Sequence, residues 1–420
     1  MRNPDTSRPT ARHRHGRAFS LSLAACLLAG TWASVQAHEA SDHIPVQRGF
    51  QLNAAVAAHY LHADDPLPGR SLPGVLDMGN TPEDQRDGYL EHAVLSAGAR
   101  LHPTLGASLG VGKHGNDPWH VENAWLEWRP RATAEWSIGA GRNRVPVGQV
   151  IDAGGHFDVF AQMPLAKRAV FEGDWVEDGL SLNWQPHRQG WLRPIERVDF
   201  GLWNARRFPG SDNASLAPVV RIRAHAGARV VLDGFASRIR AKERGSHIQR
   251  PEVGHSHTAP DCGVSLVQVT CFDGDVNLLG LSLDWRTPVP QVQAQAAALW
   301  RQEKGSLYGQ SSTTDYRGRT RGGWLQLQWQ PAPRWNLAVR HEWLKASHHL
   351  QGSGASLLAR EAGLSPNHPA RRSTAAIAWQ PWQHWNISLE AGTERNSGQN
   401  NDFYGIRLRW QPEHLISRSI

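Results

Sequence analysis

The sequence predicts an all-β fold, a transmembrane antiparallel β-barrel of about sixteen strands. Three observations predict it: an export segment at the N-terminus, apolar alternation with a period of two along the rest of the chain, and a recurring Trp-x-Pro corner. Composition agrees. Gly makes up 40 of 420 residues, hydrophobic residues 40% and charged residues 20%, which excludes a disordered chain and a bundle of membrane helices. There are 19 Trp against 10 Phe and 5 Tyr. Indole prefers a site with one apolar and one wet end, and a membrane–water interface supplies it.

The export segment comes first. Residues 1–37 open with Arg2, Arg8, Arg12, Arg14 and Arg17, continue through an apolar run from Ala18 to Gly30, and end at Val35-Gln36-Ala37. That order is a secretory signal peptide with cleavage after Ala37. The apolar run is too short to span a bilayer. A lipoprotein-like Leu23-Ala24-Ala25-Cys26 box would cut the run in half. Removing residues 1–37 takes Lys+Arg from 45 to 40 and Asp+Glu from 38 to 37, so the net charge falls from +7 to +3. This weakens any nucleic-acid reading.

The mature chain then repeats. Trp128-Arg129-Pro130, Trp184-Gln185-Pro186, Trp329-Gln330-Pro331, Trp379-Gln380-Pro381 and Trp410-Gln411-Pro412 share one signature, and Trp285-Arg286-Thr287-Pro288 is a looser copy. Pro cannot donate to a β ladder, so each copy ends a strand. Flanking segments alternate: Trp335, Leu337, Val339 and Trp343 share one face, and Asn336, Arg340 and Glu342 the other. Such segments lie near 49–62, 88–101, 105–113, 120–129, 134–142, 175–185, 196–204, 217–225, 229–239, 275–285, 291–301, 321–330, 335–344, 372–380, 385–394 and 402–411. Connections between them alternate long and short. An even number of antiparallel strands with that alternation is the outer-membrane barrel pattern, Trp clustering at the short-turn end. The boundaries are a short periplasmic segment at 38–48, a barrel at 49–411 and a C-terminal extension at 412–420.

The longest-range signal lies between the fifth and sixth segments. Gly141-Arg142-Asn143-Arg144-Val145-Pro146-Val147-Gly148 precedes a long connection, which ends in Phe171-Glu172-Gly173-Asp174-Trp175-Val176-Glu177-Asp178-Gly179. A strand ending in Gly-x-x-[Lys/Arg]-x-Pro-x-Gly, a long loop and an acidic-Gly strand start resemble the phosphate-selective porin O/P-type family. The match covers roughly 137–184, about an eighth of the chain. The resemblance implies a sixteen-stranded trimeric porin of a Gram-negative outer membrane, with residues 143–174 folded inward to narrow the pore.

The residues themselves support an inward position. A connection of this length is usually functional or disordered. This one carries Val145, Val147, Val150, Ile151, Phe157, Val159, Phe160, Met163 and Leu165, which only an inner wall can bury. Its Arg142, Arg144, Lys167 and Arg168 oppose Asp152, Asp158 and Glu172. These charges either set ion preference across a narrow lumen or pair with acids and pin the loop. The lumen-facing phase of other strands supplies Arg221, Arg223, Arg340, Arg372, Arg407 and Arg409, against Asp199, Asp284, Glu342 and Glu390. The basic lean predicts weak anion preference.

The expected function is therefore a passive channel for small hydrophilic solutes, anions such as phosphate included. Its expected partners are outer-membrane lipid and, through the resemblance, two further copies of the chain. No enzyme signature and no required cofactor are found. The alternative is a zinc-capturing surface protein. His247, His255 and His257 with Asp261 share one long connection, His348, His349 and His368 another, and His38 and His43 begin the mature chain. Imidazole is a common zinc ligand, but no strict ligand spacing is met. Cys262 and Cys271 are the two mature cysteines. Export favours a disulfide, worth about 2–3 kcal/mol in the chain-entropy model, over two thiolates in a zinc site.

Overall fold

The computed structural model describes residues 44–420, except 65–66, 68–71, 73, 77–86, 116–117, 156–157, 188–189, 212–214, 248–261, 263–268, 365–368, 397, 413 and 420. The signal-peptide reading of residues 1–37 lies outside the described residues. Nine strands make up the first half of the chain: β1 Gly49–Ala63, β2 Asp87–His102, β3 Leu105–Lys113, β4 His120–Trp128, β5 Trp136–Arg144, β6 Val176–Trp184, β7 Ile195–Asn204, β8 Leu216–His225 and β9 Val230–His247. Eight follow: β10 Val269–Arg286, β11 Val292–Tyr308, β12 Thr313–Ala332, β13 Trp335–Gln351, β14 Ala370–Trp379, β15 Trp385–Asn396, β16 Gln399–Trp410 and the short β17 Ile416–Ser419. Each of β1–β16 pairs antiparallel with its neighbours in the chain, and β1 pairs with both β2 and β16. The sheet is a closed sixteen-stranded barrel, with no free edge among these strands.

Alternation decides which face turns outward. Along β12, Leu325, Leu327 and Trp329 are exposed on the outer face, while Trp324 and Gln326 are buried inside. Inside, the wall carries buried Arg100, Arg221, Arg244, Arg301, Arg340, Arg372, Arg407 and Arg409. Closure gives each strand a partner on both sides, bulges apart, which an apolar outer face requires.

The Trp-x-Pro corners have one shared geometry. Within each, the residue after Trp donates its N–H to the carbonyl just before the preceding strand. The pairs are Arg129 to Thr104, Gln185 to Glu135, Arg286 to Arg229, Gln330 to Gln291, Gln380 to Arg334 and Gln411 to His384, at 2.6–2.9 Å. That bond closes the ladder. Pro follows where no further donor is needed. The indoles meet across strands: Trp128 with Trp136 edge-to-face at 5.7 Å, and Trp335 with Trp379 stacked at 6.0 Å. They form an aromatic ring at the short-turn end.

Strands β9 to β13 run well past the ends read from the alternation, with 18, 18, 17, 20 and 17 residues. Their extra length points polar residues outward: Arg317 and Arg319 on β12 and Lys345 on β13 are exposed. Pairing continues there although the apolar face has stopped. Beyond Trp410 the chain bends and returns to the sheet: Ile416–Ser419 pair with Leu52–Gly49, below the β1–β16 ladder. Cys262 and Cys271 are joined by a disulfide, with Cα atoms 6.1 Å apart.

Candidate functional site: the inner segment and the charged wall

Residues 145–175 join β5 to β6 and contain two short helices, α1 Gln149–Ala153 and α2 Leu165–Phe171. The Gly-x-x-Arg-x-Pro-x-Gly start has a local cause. Gly141 and Gly148 have φ of 122° and 118°, a region open to Gly at little cost. A Cβ on Gly141 would lie 2.1 Å from the Ala124 carbonyl oxygen, and one on Gly148 3.0 Å from Asp233. The chain therefore turns off β5 against its neighbours without side chains in the way.

The segment buries its apolar residues against the wall. Val145, Val147, Val150, Ile151, Val170 and Phe171 share a cluster with wall residues Phe235, Val276, Leu278, Leu299 and Trp324. Val159 and Phe160 pack on Ala338 and Ala376, and Leu165 and Ala169 on Leu344, Ala346 and Ala370. Phe157 lies outside the described residues.

Charge complementarity fixes α2 end to end. At its N-terminus the Leu165 N–H donates to Glu342 Oε2 at 2.7 Å. At its C-terminus Arg301 donates to the carbonyls of Ala169 and Val170 at 3.2 and 3.4 Å. An acid at the start and a cation at the end both match the helix dipole. Glu342 also binds Arg340 and Arg372, each at 2.9 Å. Arg301 and Arg244 share Glu303 and Glu172. Breaking such a buried network by removing one partner costs about 3–5 kcal/mol.

The wall also holds the backbone elsewhere. Gln149 N–H donates to Asp233 at 3.2 Å, and Ala161 N–H to Glu390 at 3.2 Å. Arg340 donates to the Gln162 carbonyl at 2.5 Å, Arg372 to the Met163 carbonyl, and Arg407 and Arg409 to the Asp158 carbonyl. Arg340 also lies over the Phe160 ring, 4.5 Å from its centroid.

The residues singled out in the sequence thus fall into two groups. Lys167, Arg221, Arg340, Arg407 and Arg409 are buried. Lys167 reaches Asp174 at 2.6 Å and the carbonyls of Asp152 and Gly154. Arg221 reaches Asp233 and Asp199, and Arg407 reaches Glu91. Arg168 is buried on α2, close enough to Glu394 to act on it electrostatically. Arg142, Arg144 and Arg223 are partly open to solvent and pair with Asp178, Asp174 and Asp233. Arg244 and Arg301 carry equal weight, yet sequence phase did not single them out. Arg244 lies beyond the read end of β9, where outward residues are polar, and Arg301 is the last residue of its read segment, in the inward phase after Leu299. Asp152 stands apart. Burial pushes its carboxyl up to about 7, against the pull of Lys167, Arg221 and Arg144 and with Asp174 adding to the rise. His255 and His257 lie outside the described residues, as does the side chain of His247.

No protein-family model matches the chain, and no curated protein matches it. Solved structures do. An outer-membrane protein of Vibrio cholerae, OmpT in its trimer form, is 10% identical with a TM-score of 0.54, covering 87% of this chain and 99% of its own. The outer-membrane channel DcaP of Acinetobacter baumannii is 10% identical with a TM-score of 0.53, covering 86% and 96%. An anion-selective porin from Comamonas acidovorans is 10% identical with a TM-score of 0.52, covering 86% and 98%. What these proteins share with this chain is the fold, a closed barrel along nearly the whole length.

Proposed function

We propose that the chain is an outer-membrane porin, a water-filled channel for passive uptake of small hydrophilic solutes with a weak preference for anions such as phosphate. One observation carries this reading. A closed barrel with an apolar outer face encloses a polar, charged wall, and one long segment is pinned to that wall by buried ion pairs. A sixteen-stranded barrel is too wide for wall side chains to fill, so its lumen holds water. The segment then acts as the constriction, and the partly open Arg144 and Arg223 face the solute path, whereas Arg142, expected there from the sequence, shares the outward phase of Ile138 and Leu180 and pairs with Asp178 on that face. Most basic residues are matched by acids, so the anion preference is small. It comes from Asp152, which is partly protonated near neutral pH and leaves Lys167 and Arg144 in local excess. Three neighbours by fold are described as outer-membrane proteins, channels or porins, one of them anion-selective and one in a trimer form. By that likeness this chain sits in the outer membrane after export and assembles as a homotrimer.

Liposome swelling tests the reading. Vesicles holding the refolded protein should swell in isotonic small sugars and anions, and swell more slowly as solute size rises. Swelling no faster than in empty vesicles, with the barrel folded, would contradict it.

A further inference from the structure

We propose that His92, His114 and Glu122 form a binding site for a divalent transition-metal ion, zinc by ligand class, with His120 beside it. The four residues come from β2, the β3–β4 connection and the start of β4, at the end of the barrel where the long connections gather. All three imidazole Nε2 atoms converge on one oxygen. Glu122 Oε1 lies 2.8 Å from His92, 3.3 Å from His114 and 3.7 Å from His120. Tetrahedral zinc with bonds near 2.0–2.1 Å has ligand-to-ligand edges of about 3.4 Å. The His92 and His114 separations from Glu122 are close to that edge, and the three ligand atoms all lie within 4.8 Å of one another. An ion among the three atoms would replace the His–carboxylate hydrogen bond with two Zn–N bonds and one Zn–O bond, leaving the fourth position to His120 after a side-chain shift or to water.

The backbone builds this convergence. The β3–β4 register shifts between Gly110 and Val111, so Glu122 is the extra residue of a bulge and turns inward beside Asn123. The β1–β2 register shifts between Ala57 and Ala58, so Glu91 is extra and both it and His92 are buried. Bulges re-aim side chains in this way. Between them on β3 stands Gly112. A Cβ there would lie 2.1 Å from Glu122 Oε1 and 3.0 Å from His92 Nε2. The missing side chain is what lets β2 reach β4 across β3.

The rings lie side by side. His92 stacks on His114 at 4.2 Å and 12°, and His114 on His120 at 5.3 Å and 20°. His120 Nδ1 lies 3.3 Å from the Pro118 carbonyl. Donation there leaves the Nε2 lone pair for a metal, a common outer-shell arrangement. His114 and His120 are partly open to solvent, which gives an ion its way in.

The test uses the refolded mature protein in detergent, in a His247→Ala, His255→Ala, His257→Ala background. Calorimetry with Zn²⁺ should find one site per chain. Glu122→Gln, His114→Ala and Gly112→Val should each weaken it at least tenfold, about the size expected for losing a ligand or its support. Heat-modifiable migration reports that each variant is folded. X-ray absorption on the zinc-loaded background protein, which needs no folded variant, should show two or three imidazoles in a four-coordinate shell. Unchanged affinity in the folded variants, a shell without imidazole, or no binding at all would overturn the proposal.

Discussion

Lys167 shows how one buried cation organises a loop. Its ammonium meets Asp174 at 2.6 Å and two carbonyls at the end of α1, so it ties the start of the segment to its exit. Replacing it takes from Asp174 its ammonium partner at 2.6 Å and uncovers negative charge inside the barrel. The variant Arg142→Gln, Arg144→Gln, Lys167→Gln, Arg168→Gln should therefore lower chloride-over-potassium permeability severalfold in planar bilayers. A wild-type reversal potential in a folded quadruple variant would make these residues purely structural. Asp152 supplies a second test. An acid raised to about 7 is mostly neutral at pH 6 and mostly ionised at pH 8. Its added negative charge makes anion preference fall as pH rises across that window. Asp152→Asn should remove the fall and keep the acidic-side selectivity at both pH values.

At the scale of elements, α2 is the keystone of the segment. A seven-residue helix is marginal alone, and this one is held by Glu342 at one end and Arg301 at the other. Glu342→Gln removes the charge shared by Arg340 and Arg372 as well, at a local cost of about 3–5 kcal/mol. The expected result is an intact barrel with a loosened segment, read as faster proteolysis within 145–175 and noisier single-channel current. Much of this element was legible in advance. The apolar content of 145–165 demanded a wall, and the Gly141 to Gly148 signature marked the turn. The pairing partners were not legible, because Glu342 and Arg301 come from strands more than a hundred residues away in the chain. The His92 site was hidden for another reason. Two bulges put Glu91 and Glu122 out of phase with the alternation used to read the strands, and the vacancy at Gly112 has meaning only once β2, β3 and β4 are side by side. Strand positions were read well because a sheet with one apolar face writes period two into the sequence. The reading stopped short on β9 to β13 where outward residues turn polar but pairing goes on.

For the whole molecule, closure is the property from which the rest follows. The β1–β16 ladder runs from Val56–Trp410 to Ala63–Phe403, and β17 extends it along Gly49–Leu52. Removing residues 411–420 strips the lower half of β1 of a partner on that side. The truncated chain should lose heat-modifiable migration at a lower temperature than the full chain, and an unchanged temperature would show that β17 adds nothing to closure. The central claim is that the closed barrel encloses a water-filled path. Single-channel recording of the refolded protein in planar bilayers under a KCl gradient tests it most directly. Stepwise conductance is expected, with a reversal potential displaced modestly toward that of chloride. A folded, heat-modifiable protein that inserts and passes no current would contradict the account.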